Sequence, residues 1–170
     1  MDAKVYELMN EQIQKELYSA YLYLDMANYY SAEGLEGFAN WFYIQAQEER
    51  DHAFLFQTYL LNNGKRIKLL AIDAPEGSYT AFDQPLDATL AHEKLVTASI
   101  HNIYDAAVSV KDYRAAEFLN WFVKEQAEEE KNADDLIRKY ELFCKDGKGL
   151  YMMDQELAAR VYAAPTLVLD

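Results

Sequence analysis

Cysteine, proline, glycine and positive charge are all scarce in this chain of 170 residues, and each shortage removes a class of structure or partner. A single cysteine, Cys144, leaves no disulfide framework and no cysteine-built zinc site within one chain. The expectation is a reduced thiol in a cytoplasmic protein. Three prolines and six glycines are too few for a turn-rich sandwich and favour long helices. Sixteen Lys and Arg against twenty-nine Asp and Glu give a net charge of −13, so phosphate repulsion makes nucleic acid a poor partner. No run approaches the ~18 apolar residues of a membrane span. The amino-terminal MDAKVYELMNEQIQKEL is charged and amphipathic, without the apolar segment of a secretory signal. What the chain has in quantity is apolar surface. A hydrophobic fraction of 51% rules out disorder, and the length suits one domain with a sizeable core.

The apolar residues recur at steps of three and four. Over residues 3–32 the seam is Met9, Ile13, Glu16, Ala20, Tyr23, Ala27 and Tyr30. Gly34 and Gly37 bracket a short break. A second seam then runs through Leu35, Phe38, Phe42, Gln45, Glu49, His52, Phe56 and Tyr59, ending at the stop signal Asn62-Asn63-Gly64. Residues 64–82 hold Pro75, Gly77 and Ser78 and show no sustained period, as a crossover along a bundle would. A third helix starts near Asp83, with Pro85 in its first turn and the seam Leu86, Leu90, Glu93, Thr97, Ile100, Tyr104 and Ala107. After a break at Lys111-Asp112 the fourth seam is Ala115, Leu119, Phe122, Gln126, Glu129, Ala133, Leu136, Tyr140 and Phe143. The run Lys145 to Gly149 breaks the chain again. The expectation is one all-α domain over 1–170. It comprises a four-helix bundle over about 3–144 with one long crossover between helices 2 and 3, a short fifth helix over about 150–161, and an extended tail over 162–170.

Polar residues interrupt every seam: Glu16 on the first helix, Glu49 and His52 on the second, Glu93 on the third, Gln126 and Glu129 on the fourth. Counted from the two short loops, all six lie at a similar depth, roughly 22–27 Å along their helices. The intervals repeat. Glu49 follows Glu16 by 33 positions as Gln126 follows Glu93, and His52 and Glu129 follow by 36. The string NWF, at Asn40 and again at Asn120, is one helical turn out of step with that repeat. Any one of these glutamates alone is more simply a solvated surface group; together, on four seams at one depth, they are not. Four carboxylates in a core are costly unless compensated, and two divalent cations compensate them. Oxygen-rich ligands with an imidazole suit Fe²⁺, Fe³⁺ or Mn²⁺, and the i, i+3 pair Glu49/His52 puts two donors on one helix face. This matches a known pattern of carboxylate-lined bundles rather than a new deduction. His92 and His101 fall off the third seam and read as surface groups or neighbours of a site. Trp41 and Trp121 read as packing residues, Trp121 close enough to the site to serve as an oxidisable neighbour. The fourteen tyrosines read as core and interface.

On Glu16 with YSAYLY after it, on QEERDH, on Glu93 and on NWFVKEQAEEEK, the chain resembles the bacterial non-haem ferritins over about residues 3–162. The resemblance implies that Glu16, Glu49 and His52 hold one iron, and that Glu49 bridges to a second held by Glu93 and Glu129, with Gln126 close by. It implies a third iron site at Glu48, Glu125 and Glu128, and matches Tyr23 to the family's tyrosine beside the diiron centre. It further implies a ferroxidase that oxidises Fe²⁺ with O₂ or H₂O₂ and stores a ferric mineral in a hollow shell of 24 subunits. Related families fit less well. A bacterioferritin would carry a second E-x-x-H on the fourth helix and a haem-ligating Met where Arg50 stands, so no haem is expected. Rubrerythrin needs more cysteines, the DNA-protecting miniferritins lack a fifth helix, and diiron oxygenases are larger. Two further classes stay open on the residues alone: a metal-binding bundle without turnover, and a structural bundle without metal.

Overall fold

A computed structural model describes residues 1–169; the expected tail also includes Asp170, which lies outside the described residues. Five helices form and, among the described residues, no strand: α1 (Ala3–Ala32), α2 (Glu36–Asn62), α3 (Gln84–Ser109), α4 (Tyr113–Phe143) and α5 (Gly147–Leu157). The starts of α1 and α4 are capped by aspartates. Asp2 accepts from the Lys4 amide at 2.8 Å, and Asp112 from the Ala115 amide at 3.2 Å. Helix α2 stops where the sequence predicts. Gly64 takes φ +67°, a left-handed turn that only glycine adopts without strain, as Gly34 does at φ +78° after α1.

The pairs α1/α2 and α3/α4 are antiparallel hairpins, and α1 packs on α3 to join them into a four-helix bundle. The crossover from α2 to α3 runs along α1 and is tied at both ends. Asn10 is buried and clasps the Lys68 backbone in both directions, its Nδ2 donating to the carbonyl at 2.8 Å and its Oδ1 accepting from the amide at 2.9 Å. At the other end the Tyr30 hydroxyl donates to the Phe82 carbonyl at 2.5 Å. These bonds satisfy backbone groups of a segment that has no secondary structure of its own.

All eight expected seam residues of α2 are buried. On α1 the inward position beside Glu16 is Ser19 rather than Ala20, and on α3 Thr89, Val96 and Ile103 are buried while Leu90, Thr97 and Tyr104 are half-buried. The fourth seam ends at Leu136. Beyond it Ile137, Tyr140 and Cys144 reach Leu86 at the start of α3, which leaves Phe143 exposed. The core divides into two apolar clusters, one around Met9, Ile13, Phe56, Ile100 and Phe122, the other around Tyr23, Met26, Phe42, Leu86 and Leu136. Glu16, Glu49, His52, Glu93, Gln126 and Glu129 are buried in the layer between them.

The fifth helix differs from its expected span of 150–161. It begins at Gly147 because Asp146 caps it, accepting from the Gly149 amide at 2.9 Å, so both glycines lie inside its first turn. A Cβ on Gly149 would sit 1.7 Å from the Phe143 carbonyl oxygen, so the residue is fixed by close approach rather than by a break. The helix ends at Leu157, where Asn40 of α2 donates to the Leu157 and Arg160 carbonyls at 3.3 and 3.1 Å. Its anchor is Asp154. This buried carboxylate accepts from the Gly37 and Phe38 amides at 2.8 and 3.0 Å and so caps α2, whose own N-cap residue Leu35 makes no side-chain bond. The tail has no regular structure and turns back across α2 and α4. Leu167 and Leu169 pack on the first apolar cluster. Among the described residues no helix is long and apolar enough to cross a membrane.

Asp154→Ala strands two buried amides and is expected to cost roughly 1–3 kcal/mol in thermal unfolding. Gly37→Ala should release the same helix by a different route, since its Cβ would lie 1.7 Å from the Asp154 carbonyl oxygen. Both variants should therefore be cut by limited proteolysis between α4 and α5 faster than the wild type; resistance equal to wild type in both would show that the Asp154 contact does not hold α5.

Candidate metal centre

Each helix of the bundle delivers donors to the same layer. Glu16 comes from α1, Glu49 and His52 from α2, Glu93 from α3, Glu129 from α4, and all are buried. Two groups of three form, Glu16/Glu49/His52 and Glu49/Glu93/Glu129, with the donor atoms of each group within 4.8 Å of one another. Glu49 belongs to both. The geometry thus brings together the five expected charged residues, with the glutamate expected as the bridge standing where the groups overlap.

Neutral donors hold these carboxylates from behind. The Gln12 amide donates to Glu16 Oε1 at 2.9 Å. Gln45 donates to Glu129 Oε1 at 3.0 Å and to Glu49 Oε1 at 3.3 Å. Glu93 accepts from the Tyr23 hydroxyl and, at 3.0 Å, from the Gln126 amide. What remains is directional. Glu16 Oε2, Glu129 Oε2 and His52 Nδ1 are buried with no hydrogen-bond partner. His52 Nδ1 does lie 3.5 Å from Glu49 Oε2, close enough for ion pairing but without a hydrogen bond. Buried polar atoms left unpaired are rare and costly, and three in one layer mark a place where a partner is missing.

Burial dominates the electrostatics. It raises the Glu16 carboxyl and pushes those of Glu49 and Glu129 well above the usual carboxylate range, with the neighbouring carboxylates, Glu93 foremost for Glu49 and Glu49 foremost for Glu129, adding to the shift. The Tyr23 phenol is raised well above its ordinary value, first by burial and then by Glu93. Burial thus favours the protonated form of Glu16, Glu49 and Glu129.

The second expected cluster lies beside the first. His52, Glu125 and Glu129 form a third group of donors, with His52 Nε2 at 3.9 Å from Glu125 Oε1. Glu48, Glu125 and Glu128 line one cavity of about 270 Å³ with His52, Glu129, Arg160 and the tail residues Ala163 to Thr166. Only Glu125 of the three enters a metal-sized group. Glu48 is paired to Arg160 at 2.6 Å, and Glu128 is exposed. Burial raises both Glu48 and Glu125, the former against the opposing pull of Arg160.

His92 is half-buried, 2.7 Å from Ser19 Oγ and edge-on to the Tyr23 ring, a neighbour of the layer and a member of none of the groups. His101 is exposed. Trp121 packs edge-on against His52 with ring centres 5.5 Å apart. The sequence reading passed over Gln12 and the supporting role of Gln45, although each stands four residues before a seam glutamate, one helical turn away and in reach of it. It also passed over Ser99, which donates to Gln12 at 2.6 Å and is itself bonded by Lys15 at 2.7 Å, and over Arg160.

The raised carboxyls dictate how the metal-free protein responds to pH. Each holds its proton more tightly folded than unfolded, so it favours the fold below the usual carboxylate range and loses that contribution as pH rises through the raised value. Calorimetry in chelator should show the unfolding temperature falling as pH rises above the usual carboxylate range. Glu129→Gln should be more stable than wild type at the upper end, by about 1–3 kcal/mol, and less dependent on pH. A wild-type curve parallel to that of the variant would remove Glu129 from the set of strained carboxylates.

Sequence and structure comparisons identify the family. The ferritin-like domain family matches residues 6–143. The bacterial non-heme ferritin of Escherichia coli O157:H7 is 38% identical over 152 residues, covering 89% of this chain and 92% of that one. The bacterial non-heme ferritin of Campylobacter jejuni is 35% identical over 155 residues, covering 91% and 93%. Among solved structures, an open-pore ferritin of the archaeon Archaeoglobus fulgidus superposes with a TM-score of 0.92 at 38% identity, covering 95% of this chain and 99% of that one. A bundle with a buried carboxylate layer, matched along nearly its whole length at this level of identity, belongs to the ferritin-like family and is a relative of the bacterial non-haem ferritins.

Proposed function

We propose that the protein is an iron-storage ferritin that oxidises Fe²⁺ in the carboxylate layer and deposits the ferric product inside a hollow shell of 24 copies. The observation that carries this reading is the overlap of two donor groups at Glu49, with Glu16 Oε2, Glu129 Oε2 and His52 Nδ1 unpartnered around it. In this reading iron is the substrate. Glu16, Glu49 and His52 take one ion; Glu49, Glu93 and Glu129 take the second. Two Fe²⁺ offset the four carboxylates and displace the protons that burial favours on Glu16, Glu49 and Glu129, which removes the strain that burial imposes. Anionic oxygen donors favour the ferric state over the ferrous, so the layer favours loss of an electron from each ion. The two electrons and two protons convert O₂ to H₂O₂, or H₂O₂ to two waters. Gln126 and Tyr23 hold Glu93 in place through their hydrogen bonds, and Gln126 stands near enough to join the second ion. Glu48, Glu125 and Glu128 are read as a third, weaker iron site on the path out of the layer, where oxygen donors outnumber the one imidazole.

Assembly is supported by what the single chain leaves exposed. Tyr21, Tyr43, Phe54, Leu69 and Ile72 are large apolar residues between 40% and 70% exposed. Tyr21, Tyr43 and Ile72 line one groove with Leu17 and Leu24 on the outer face of α1 and α2. Patches of this kind mark interfaces between copies. Arg50 lines the same groove, at the position from which the absence of haem is expected.

Glu49→Ala removes the group shared by both ions. Stopped-flow absorbance after mixing with Fe²⁺ in air should show the fast phase reduced by roughly 100-fold or more, while circular dichroism reports an intact bundle. A wild-type rate in that variant would refute the assignment. Oxygen uptake that stops at two irons per chain would instead favour a metal buffer. Sedimentation velocity at micromolar concentration is expected to show one large assembly; a stable monomer would overturn the shell and storage together.

A further inference from the structure

Arg160 lies just beyond α5, and its guanidinium makes its hydrogen bonds to α2. Nη1 donates to the Trp41 carbonyl and to Gln45 Oε1, both at 3.1 Å; Nη2 donates to Gln45 Oε1 at 3.2 Å and to Glu48 Oε2 at 2.6 Å. The guanidinium carbon also stands 4.5 Å from the centre of the Trp41 ring, a cation–π contact. These interactions occupy the fork geometry of arginine, which a lysine ammonium cannot reproduce. The chain that carries Arg160 is held at that residue and beyond it. Asn40 binds the Arg160 carbonyl at 3.1 Å, the Tyr162 hydroxyl donates to Asp51, and Thr166 accepts from the Trp121 indole at 2.9 Å. Arg160 is therefore a held charge. It sits in the wall of the cavity lined by Glu48, Glu125 and Glu128, about three-quarters buried, paired to a Glu48 that is equally buried.

We propose that Arg160 is the resident counter-ion of this cluster and sets how weakly it takes a cation. A metal ion that draws Glu48 toward Glu125 has to part Glu48 from Arg160 and then shares the cavity with the displaced positive charge. The affinity of the third site is thus lowered by the protein's own tail, while the carboxylates of the buried layer, which Arg160 reaches only through Gln45, are not paired to it. The consequence is an order of filling: the layer first, the outer cluster afterwards and reversibly. This inference rests on the reading of Glu48, Glu125 and Glu128 as a third iron site.

The test is anaerobic calorimetric titration of the assembled, full-length protein with Fe²⁺ alone, comparing wild type with Arg160→Gln, Arg160→Ala and Arg160→Lys. Gln keeps much of the bulk and the hydrogen bonding but loses the charge, and carries the test if the Ala variant fails to assemble. Lys keeps the charge. The third binding step should tighten roughly tenfold in Arg160→Gln and Arg160→Ala, and stay at the wild-type value in Arg160→Lys. A third step equal in all four proteins would overturn the proposal. Equal tightening in all three variants would also overturn it, by showing that the cover of the tail matters and not the charge. Absence of a third step in every protein, with the first two intact, would refute the third-site reading and this inference with it. Loss of all binding in wild type would instead refute the iron reading of the buried layer.

Discussion

Four carboxylates and an imidazole enclosed between two apolar clusters are the constraint on which the rest of this structure depends. A layer of that composition opposes folding, since each group is withdrawn from water beside like charges. The bundle tolerates it because the clusters on either side are extensive and aromatic. Tyr30 stacks between Phe38 and Phe42 in one, and Phe56, Phe118 and Phe122 interlock in the other. Stability is supplied by these ends, and the middle is left as a strained layer whose Glu16, Glu49 and Glu129 carboxyls burial pushes toward the protonated form.

The strain is directed rather than diffuse. Glu16, Glu49, Glu93 and Glu129 each have an oxygen held by a neutral donor: Gln12, Gln45, the pair Tyr23 and Gln126, and Gln45 again. A neutral amide or phenol stabilises one position of a carboxylate without cancelling its charge, as a lysine or arginine would. The positions are fixed without a cationic side chain among the donors. Behind Gln12 the chain of bonds continues through Ser99 to Lys15, so the cation on that side stands three hydrogen bonds away from Glu16. Arg160 stands two hydrogen bonds away from Glu49 and Glu129, through Gln45.

The fold and the centre of the layer were legible in the sequence because both follow from helical period. Every seam residue of α2 is buried, and the depth count placed Glu16, Glu49, Glu93 and Glu129 at one level, since rise per residue is nearly constant. Errors arise where a neighbour decides. The α3 seam drifts by one residue at Thr89, Val96 and Ile103, a choice made by packing on α1 and α4 rather than by α3 itself. Gly147 and Gly149 read as a break, yet they open α5 because Asp146 caps it and the Phe143 carbonyl leaves no room for a side chain. Asp154 and Arg160 carried no local signal. Their partners on α2 are more than a hundred residues away, and an acid in a short amphipathic helix or a base in a tail looks like a solvated group until the chain folds.

Helix α2 connects these observations, because it presents different faces to the carboxylate layer and to the carboxyl-terminal segment. Gln45, Glu49 and His52 face the layer at steps of four and three. Gly37, Phe38 and Asn40 receive α5, and Trp41, Gln45 and Glu48 receive Arg160. Only Gln45 belongs to both faces. Its carbonyl oxygen takes the arginine fork and its amide hydrogens are thereby turned toward Glu49 and Glu129. An amide left to itself presents either end with little preference. With the guanidinium behind it, the orientation is decided, because the opposite one would set N–H groups against N–H groups and carbonyl against carboxylate. The docking of α5, through the capping of α2 by Asp154, sets the point from which the tail starts and so brings Arg160 within reach of Gln45. The polarity of the donor that holds Glu49 and Glu129 is in this way set by a segment that touches neither carboxylate.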